Sequence, residues 1–155
     1  MNKLVNTTSS LTYEGKVKIK SVKDGKIKVI GNYKNSGGTP LFTFLSRCLI
    51  QEYDSALVPR YICAFGDDAD TPLLNAYPLS SMKTINDKTI QYSFTIPTNN
   101  FVNETNQVKE YRLICEQNKN SRTPSASIEV DQTVSKASQE AIIIEWQLSI
   151  DNVNE

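Results

Sequence analysis

The stretch "KVKIKSVKDGKIKVIGNY", residues 16–33, decides the fold of this 155-residue chain. Val17 and Ile19 alternate with Lys16, Lys18 and Lys20. Asp24-Gly25 follows, and then Ile27 and Val29 alternate with Lys26 and Lys28. Period two is the mark of a strand with one buried face. Asp-Gly between two such runs favours a type I′ turn, because both central residues tolerate positive φ. The spacing predicts a hairpin over 15–33, with the lysines as its solvated face. Lysines there also discourage edge-to-edge aggregation.

Downstream the same period recurs. "KTIQYSFTIP" (88–97) sets Ile90, Tyr92, Phe94 and Ile96 on one face. "VKEYRLICEQ" turns Tyr111, Leu113 and Cys115 inward, and "ASIEVDQTV" turns Ala126, Ile128 and Val130 inward. "AIIIEWQLSI" aligns Ile142, Ile144, Trp146, Leu148 and Ile150. "RYICAFG" (60–66) reads as a buried strand, "GDDADTPLLNAYPLS" (66–80) as a long irregular connection, and "NKNSRTPS" as a polar loop. Short alternating strands separated by turn-rich loops predict an all-β fold, an antiparallel β-sandwich of about 7–8 strands. Residues 15–155 form its single domain. The first 14 residues have little to bury and read as a flexible N-terminal arm that orders on a neighbour.

One segment breaks the period. In "NSGGTPLFTFLSRCLI" (35–50), Leu41, Phe44, Leu45, Cys48 and Leu49 fall at helical spacing, with Phe42 broadening the stripe. Gly37-Gly38 frees the backbone, Thr39 caps, and Pro40 suits a first helical turn. The pattern predicts one short α-helix near 40–50 that plugs an end or face of the sandwich.

Composition narrows the chemistry. The chain holds no histidine, which removes the commonest general base and zinc ligand and every Ser-His or Cys-His pair. Three cysteines, Cys48, Cys63 and Cys115, each at an apolar-phase position, read as small buried hydrophobes rather than a disulfide framework. The N-terminus lacks the apolar core of a signal peptide, and no run approaches the length of a membrane span. Seventeen basic and seventeen acidic side chains cancel, so bulk attraction to nucleic acid or membrane is not implied. The balance hides a division. Residues 1–34 hold eight lysines against Glu14 and Asp24, a net of +6 that leaves −6 for the rest.

Few residues invite a site. Asp67, Asp68 and Asp70 in "GDDADT" are the weak candidates for a metal, since carboxylates beside Thr71 offer oxygen ligands for calcium. They lack the alternating ligands, central glycine and terminal glutamate of an EF-hand, and a solvated turn is the simpler reading. No spacing selects a carboxylate pair for glycoside hydrolysis, and no Gly-rich loop leads into GK[ST]. The expectation is no enzyme and no cofactor. Lys16, Lys18, Lys20, Lys26 and Lys28 are the candidates for docking a partner. Tyr53, Tyr61 and Tyr77 are possible platforms for sugar rings.

The order of elements resembles a known group. A lysine-rich hairpin leads into "NSGGTPLFTFLSRCLI"; then come "VPRYICAFG", alternating strands, and a terminal "AIIIEWQLSI". This order is similar to small β-sandwich structural proteins of tailed-bacteriophage virions, including those of crAss-like phages. The resemblance implies a non-enzymatic component of the virion, assembled in the host bacterial cytoplasm as a homo-oligomer among other virion proteins. It would sit on the capsid as a decoration or head fibre, or on the tail. The alternative expectation is a carbohydrate- or receptor-binding β-sandwich module.

Overall fold

The computed structural model describes residues 9–35 and 54–154, with side chains within 14–35 and 54–149. The strands are β1 (Ser9–Lys23), β2 (Lys26–Asn35), β3 (Pro59–Phe65), β4 (Pro72–Pro78), β5 (Ser81–Asn86), β6 (Thr89–Pro97), β7 (Thr105–Cys115), β8 (Ala126–Ser135) and β9 (Ala141–Asn154). Helical residues among those described form only short 3-10 turns, such as Ser55–Leu57. The helix expected near 40–50, with Cys48, lies outside the described residues, as does Tyr53.

The fold is the antiparallel sandwich that the alternation predicts. One sheet has the order β2-β1-β9-β6-β5 and the other β4-β3-β7-β8. Nine strands replace the expected seven or eight. The connection read as irregular over 66–80 contains β4, and β5 follows it directly. Strand β1 begins at Ser9 and pairs from Ser9↔Asn154 onward. Residues 9–14, read from sequence as part of an arm, are therefore strand. They run past the last β1–β2 pair, Gly15↔Asn35, and past the first β6–β9 pair, Thr89↔Ser149. β1 and β9 thus continue beyond their neighbours as a two-stranded ribbon.

The core follows from register. Val17, Trp146 and Tyr92 form one rung across β1, β9 and β6, and Ile19, Ile144 and Phe94 form the next. These meet Ile62, Val108, Tyr111, Leu113, Ile128 and Val134 of the opposite sheet. Each fully buried aliphatic or aromatic side chain contributes about 1.5–3 kcal/mol of transfer free energy. Ile90 shares the phase of Tyr92 but sits 40% exposed at the far end of β6.

Five strands cannot be covered by four. β2 lies beside β8, and β4 lies beneath β6. β5 therefore overhangs, and all six of its residues are exposed.

The hairpin departs from its expected phase. Asp24 and Gly25 have φ of 52° and 73°, both positive as a type I′ turn requires. However, Ile19 pairs with Gly31 while Lys20 pairs with Val29, so Ile30 is an extra residue. Such a bulge shifts all that follows to the other face. Ile27 pairs with Val22 and Val29 with Lys20, on the outer face that carries Lys16 and Lys18. Lys28 and Lys26 pair with Ser21 and Lys23, in phase with the buried Val17 and Ile19. Ile27 and Val29 are 64% and 48% exposed. The expectation that lysines line one face and apolar residues the other holds only below the bulge.

Candidate functional site

The docking lysines named from sequence do not form one patch. Lys16, Lys18 and Lys20 project from the outer face of the five-stranded sheet, where Lys34 pairs with Lys16 in register. Lys16 and Lys34 share Glu14 at 4.0 and 3.9 Å. These are loose, exposed pairs of small energetic weight. Lys20 makes a closer, partly buried ion pair with Glu145 of β9. Lys26 and Lys28 point to the opposite side. Lys28 lines a groove between β2 and β8 with Ser21, Ile30, Gln132, Ser135 and Glu140.

On the outer face, the lysines border a cleft of about 390 Å³. Among the described residues it is lined by Lys16, Lys18, Lys34, Asn32, Gln91, Glu145 and Gln147, with Val17 and Tyr33. Its amides are ordered. Gln147 Nε2 donates to Gln91 Oε1 at 3.0 Å, and Gln91 Nε2 donates to Ser93 Oγ at 3.2 Å. The cleft offers ammonium groups and carboxamide donors, a set suited to anionic or hydroxyl-rich ligands.

The acidic loop spends its best ligand on itself. Asp68 accepts hydrogen bonds from the Asp70 amide and the Thr71 hydroxyl, both at 2.9 Å, one on each carboxylate oxygen. The Asp70 amide first, then the Thr71 hydroxyl, holds the Asp68 carboxyl below its ordinary titration range. Among the described residues, no group of three or more His, Cys, Asp or Glu is placed to hold a metal ion.

Of the three candidate platform tyrosines, the two that are described, Tyr61 and Tyr77, are not brought together. Tyr61 and Ile62 are adjacent on β3, and Tyr77 is the cross-strand partner of the buried Ile62. Tyr77 packs on the main core, whereas Tyr61 packs on a second cluster of Cys63, Phe65 and Ile114. The two rings thus belong to opposite faces of the four-stranded sheet. The Tyr61 ring is also occupied, with the Lys119 ammonium 4.6 Å from its centroid.

That second cluster was not foreseen, and it makes β3 buried on both faces. Its lid is cationic. The Arg112 guanidinium lies 4.1 Å over Phe65, held by Glu110 at 2.9 Å and by the Arg122 carbonyl at 3.2 Å. Arg122 Nε donates to Asn75 Oδ1 at 3.1 Å. Ala76 has φ of 46°, an uncommon conformation for a residue with a Cβ, and interrupts the β3–β4 ladder. Its amide donates to Cys63 Sγ at 3.1 Å, replacing a ladder partner. Burial pushes the Cys63 thiol up, against the smaller opposing pull of the Ala76 amide and the two arginines. The group closes a bulge and needs no ligand to explain it.

Among the described residues, the Ser125 hydroxyl and the Trp146 indole N–H are buried without a hydrogen-bond partner. Trp146 belongs to the core between the sheets, and Ser125 is buried just before β8 begins. No protein-family model, curated protein or solved structure matches this chain.

Proposed function

We propose that this protein is a non-enzymatic structural component of a tailed-phage virion, acting through contacts with copies of itself and with other virion proteins. The observation that carries the reading is the placement of its exposed apolar side chains. Among the described residues seven large hydrophobic side chains are exposed. Six of the seven lie at the two sheet edges: Ile27, Val29 and Ile30 are on β2, Met82 and Ile85 are on β5, and Ile90 sits opposite Thr84 of β5, while the seventh, Val102, lies in the segment before β7. β2 and β5 are the two outermost strands of one sheet. Apolar residues gathered on open strands mark surfaces that join other chains, since a monomer gains nothing by exposing them there. The phage assignment rests on the resemblance in element order. Mass spectrometry of purified virions, followed by localisation on the particle by electron microscopy, tests it. Absence from the particles overturns it.

A second reading, a carbohydrate- or receptor-binding module, draws support from the outer-face cleft. Three lysines and an amide ladder there would suit an acidic glycan better than a neutral one. Binding of such a glycan by the isolated monomer, lost when Lys16 and Lys18 become Glu, would favour this reading.

A further inference from the structure

We infer that the β2 flank of one copy docks on the β4/β5 flank of a second copy, a head-to-tail contact that deepens the assembly reading above. Two properties of the opposite flanks match. The first is apolar. β5 overhangs the smaller sheet and leaves Met82, Ile85 and the neighbouring Ile90 between 40% and 53% exposed. The bulge at Ile30 turns Ile27 and Val29 out of the opposite flank. Each flank therefore presents apolar side chains that its own sandwich does not cover: Ile27 and Val29 on the outer face of β2, Met82 and Ile90 in the inner-face phase at β5, and Ile85 at the irregularity between Thr84 and Asn86.

The second is charge, and it decides which flank meets which. β2 carries Lys26, Lys28 and Lys34, and among the described residues Lys26 and Lys28 make no ion pair. Pairing β2 with a second β2 would bring two sets of lysines together, and like charges across strands destabilise. The β4/β5 flank instead carries Asp67, Asp68 and Asp70 in the loop leading to β4 and Asp87 in the turn after β5, against Lys83 on β5 and Lys88 in that turn, so its acidic side chains outnumber its basic ones four to two. β4 itself is a poor strand for self-pairing, with proline at both ends and its ladder broken near Ala76. The fit is thus between unlike flanks. Such a contact leaves one flank free on each terminal copy and closes only as a ring or continues as a filament.

The full chain tests this by light scattering coupled to size-exclusion chromatography. The parent should show a mass above the monomer that rises with concentration and falls with added salt. Ile27→Lys with Val29→Lys disables one flank, and Met82→Lys with Ile85→Lys disables the other. All four sites are exposed, so melting temperature and far-UV circular dichroism should match the parent. Each variant alone should be monomeric, whereas an equal mixture should form a one-to-one dimer that grows no further. A monomeric parent, a mixture that stays monomeric, or either variant still self-associating overturns the contact. The virion reading fails separately. A monomeric chain found in particles would sink the contact alone, and an oligomer absent from particles would sink the virion assignment alone.

Discussion

The two halves of the first hairpin share one alternating sequence and meet opposite fates. Below the bulge, Val17 and Ile19 are 2% and 1% exposed and form rungs with Trp146 and Ile144. Above it, Ile27 and Val29 keep the same spacing from their lysines, yet face solvent. Alternation fixes which residues share a face. It does not fix which face is buried, and one extra residue reverses that choice. The difference also separates two roles, since the lower half holds the fold together and the upper half presents apolar surface.

The largest effect should come from the lower half's anchor. Trp146→Ala removes a fully buried side chain from the rung with Val17 and Tyr92 and should cost about 3–5 kcal/mol in denaturant unfolding. The comparison itself is tested by a matched pair. Ile19→Ala should cost about 2–5 kcal/mol, whereas Ile27→Ala should stay within about 0.5 kcal/mol of the parent. Equal costs would break the distinction between the halves. Gly31→Ala probes the boundary between them. A Cβ there would lie 2.5 Å from the Tyr33 ring, which packs on the core, so about 1–3 kcal/mol of overpacking is expected. If that variant were as stable as the parent, the ring would not be held against the bulge.

The smallest effect concerns pH and lies away from the hairpin. Asp68 has its folded pKa depressed, so its contribution is present above the ordinary carboxylate range and is lost as pH falls through the folded value. Asp68→Asn should therefore flatten the acid side of a melting-temperature profile and leave the neutral side lower by a small margin. A profile parallel to the parent's would mean that the turn does not depend on the carboxylate.

Strands with clean alternation were legible, because β8 and β9 each bury one face and their apolar residues show it. β6 does so over Tyr92, Phe94 and Ile96, although Ile90 is exposed and Gln91 buried there. The Asp-Gly turn was legible from chemistry local to two residues. β4 was not, since "PLLNAYP" has prolines at its ends and a left-handed Ala76, features that read as a loop. β5 was not, because an overhanging strand needs no buried face and "SMKTIN" shows none. The phase reversal at Ile30 escaped for another reason. It depends on how β2 registers against β1, which the local pattern of β2 does not encode. The same limit hid the second cluster. Cys63, Phe65 and Ile114 alternate with core residues on their own strands, and only packing of the 116–125 loop with Arg112 and Arg122 distinguishes two buried faces from one. The lysines were found as residues, but their division between two sides was not.

The five-stranded order has a directional consequence. Four antiparallel reversals separate β2 from β5, so both outermost strands point the same way. A unit with such edges has a heading. Copies repeated side by side about an axis along the strands all keep it. Every Asp24-Gly25 turn would then stand on one rim, and every β1–β9 ribbon on the other. The resulting crown would have two chemically different rims, a lysine-flanked one and one made of paired strand ends, able to seat two unlike surfaces at once.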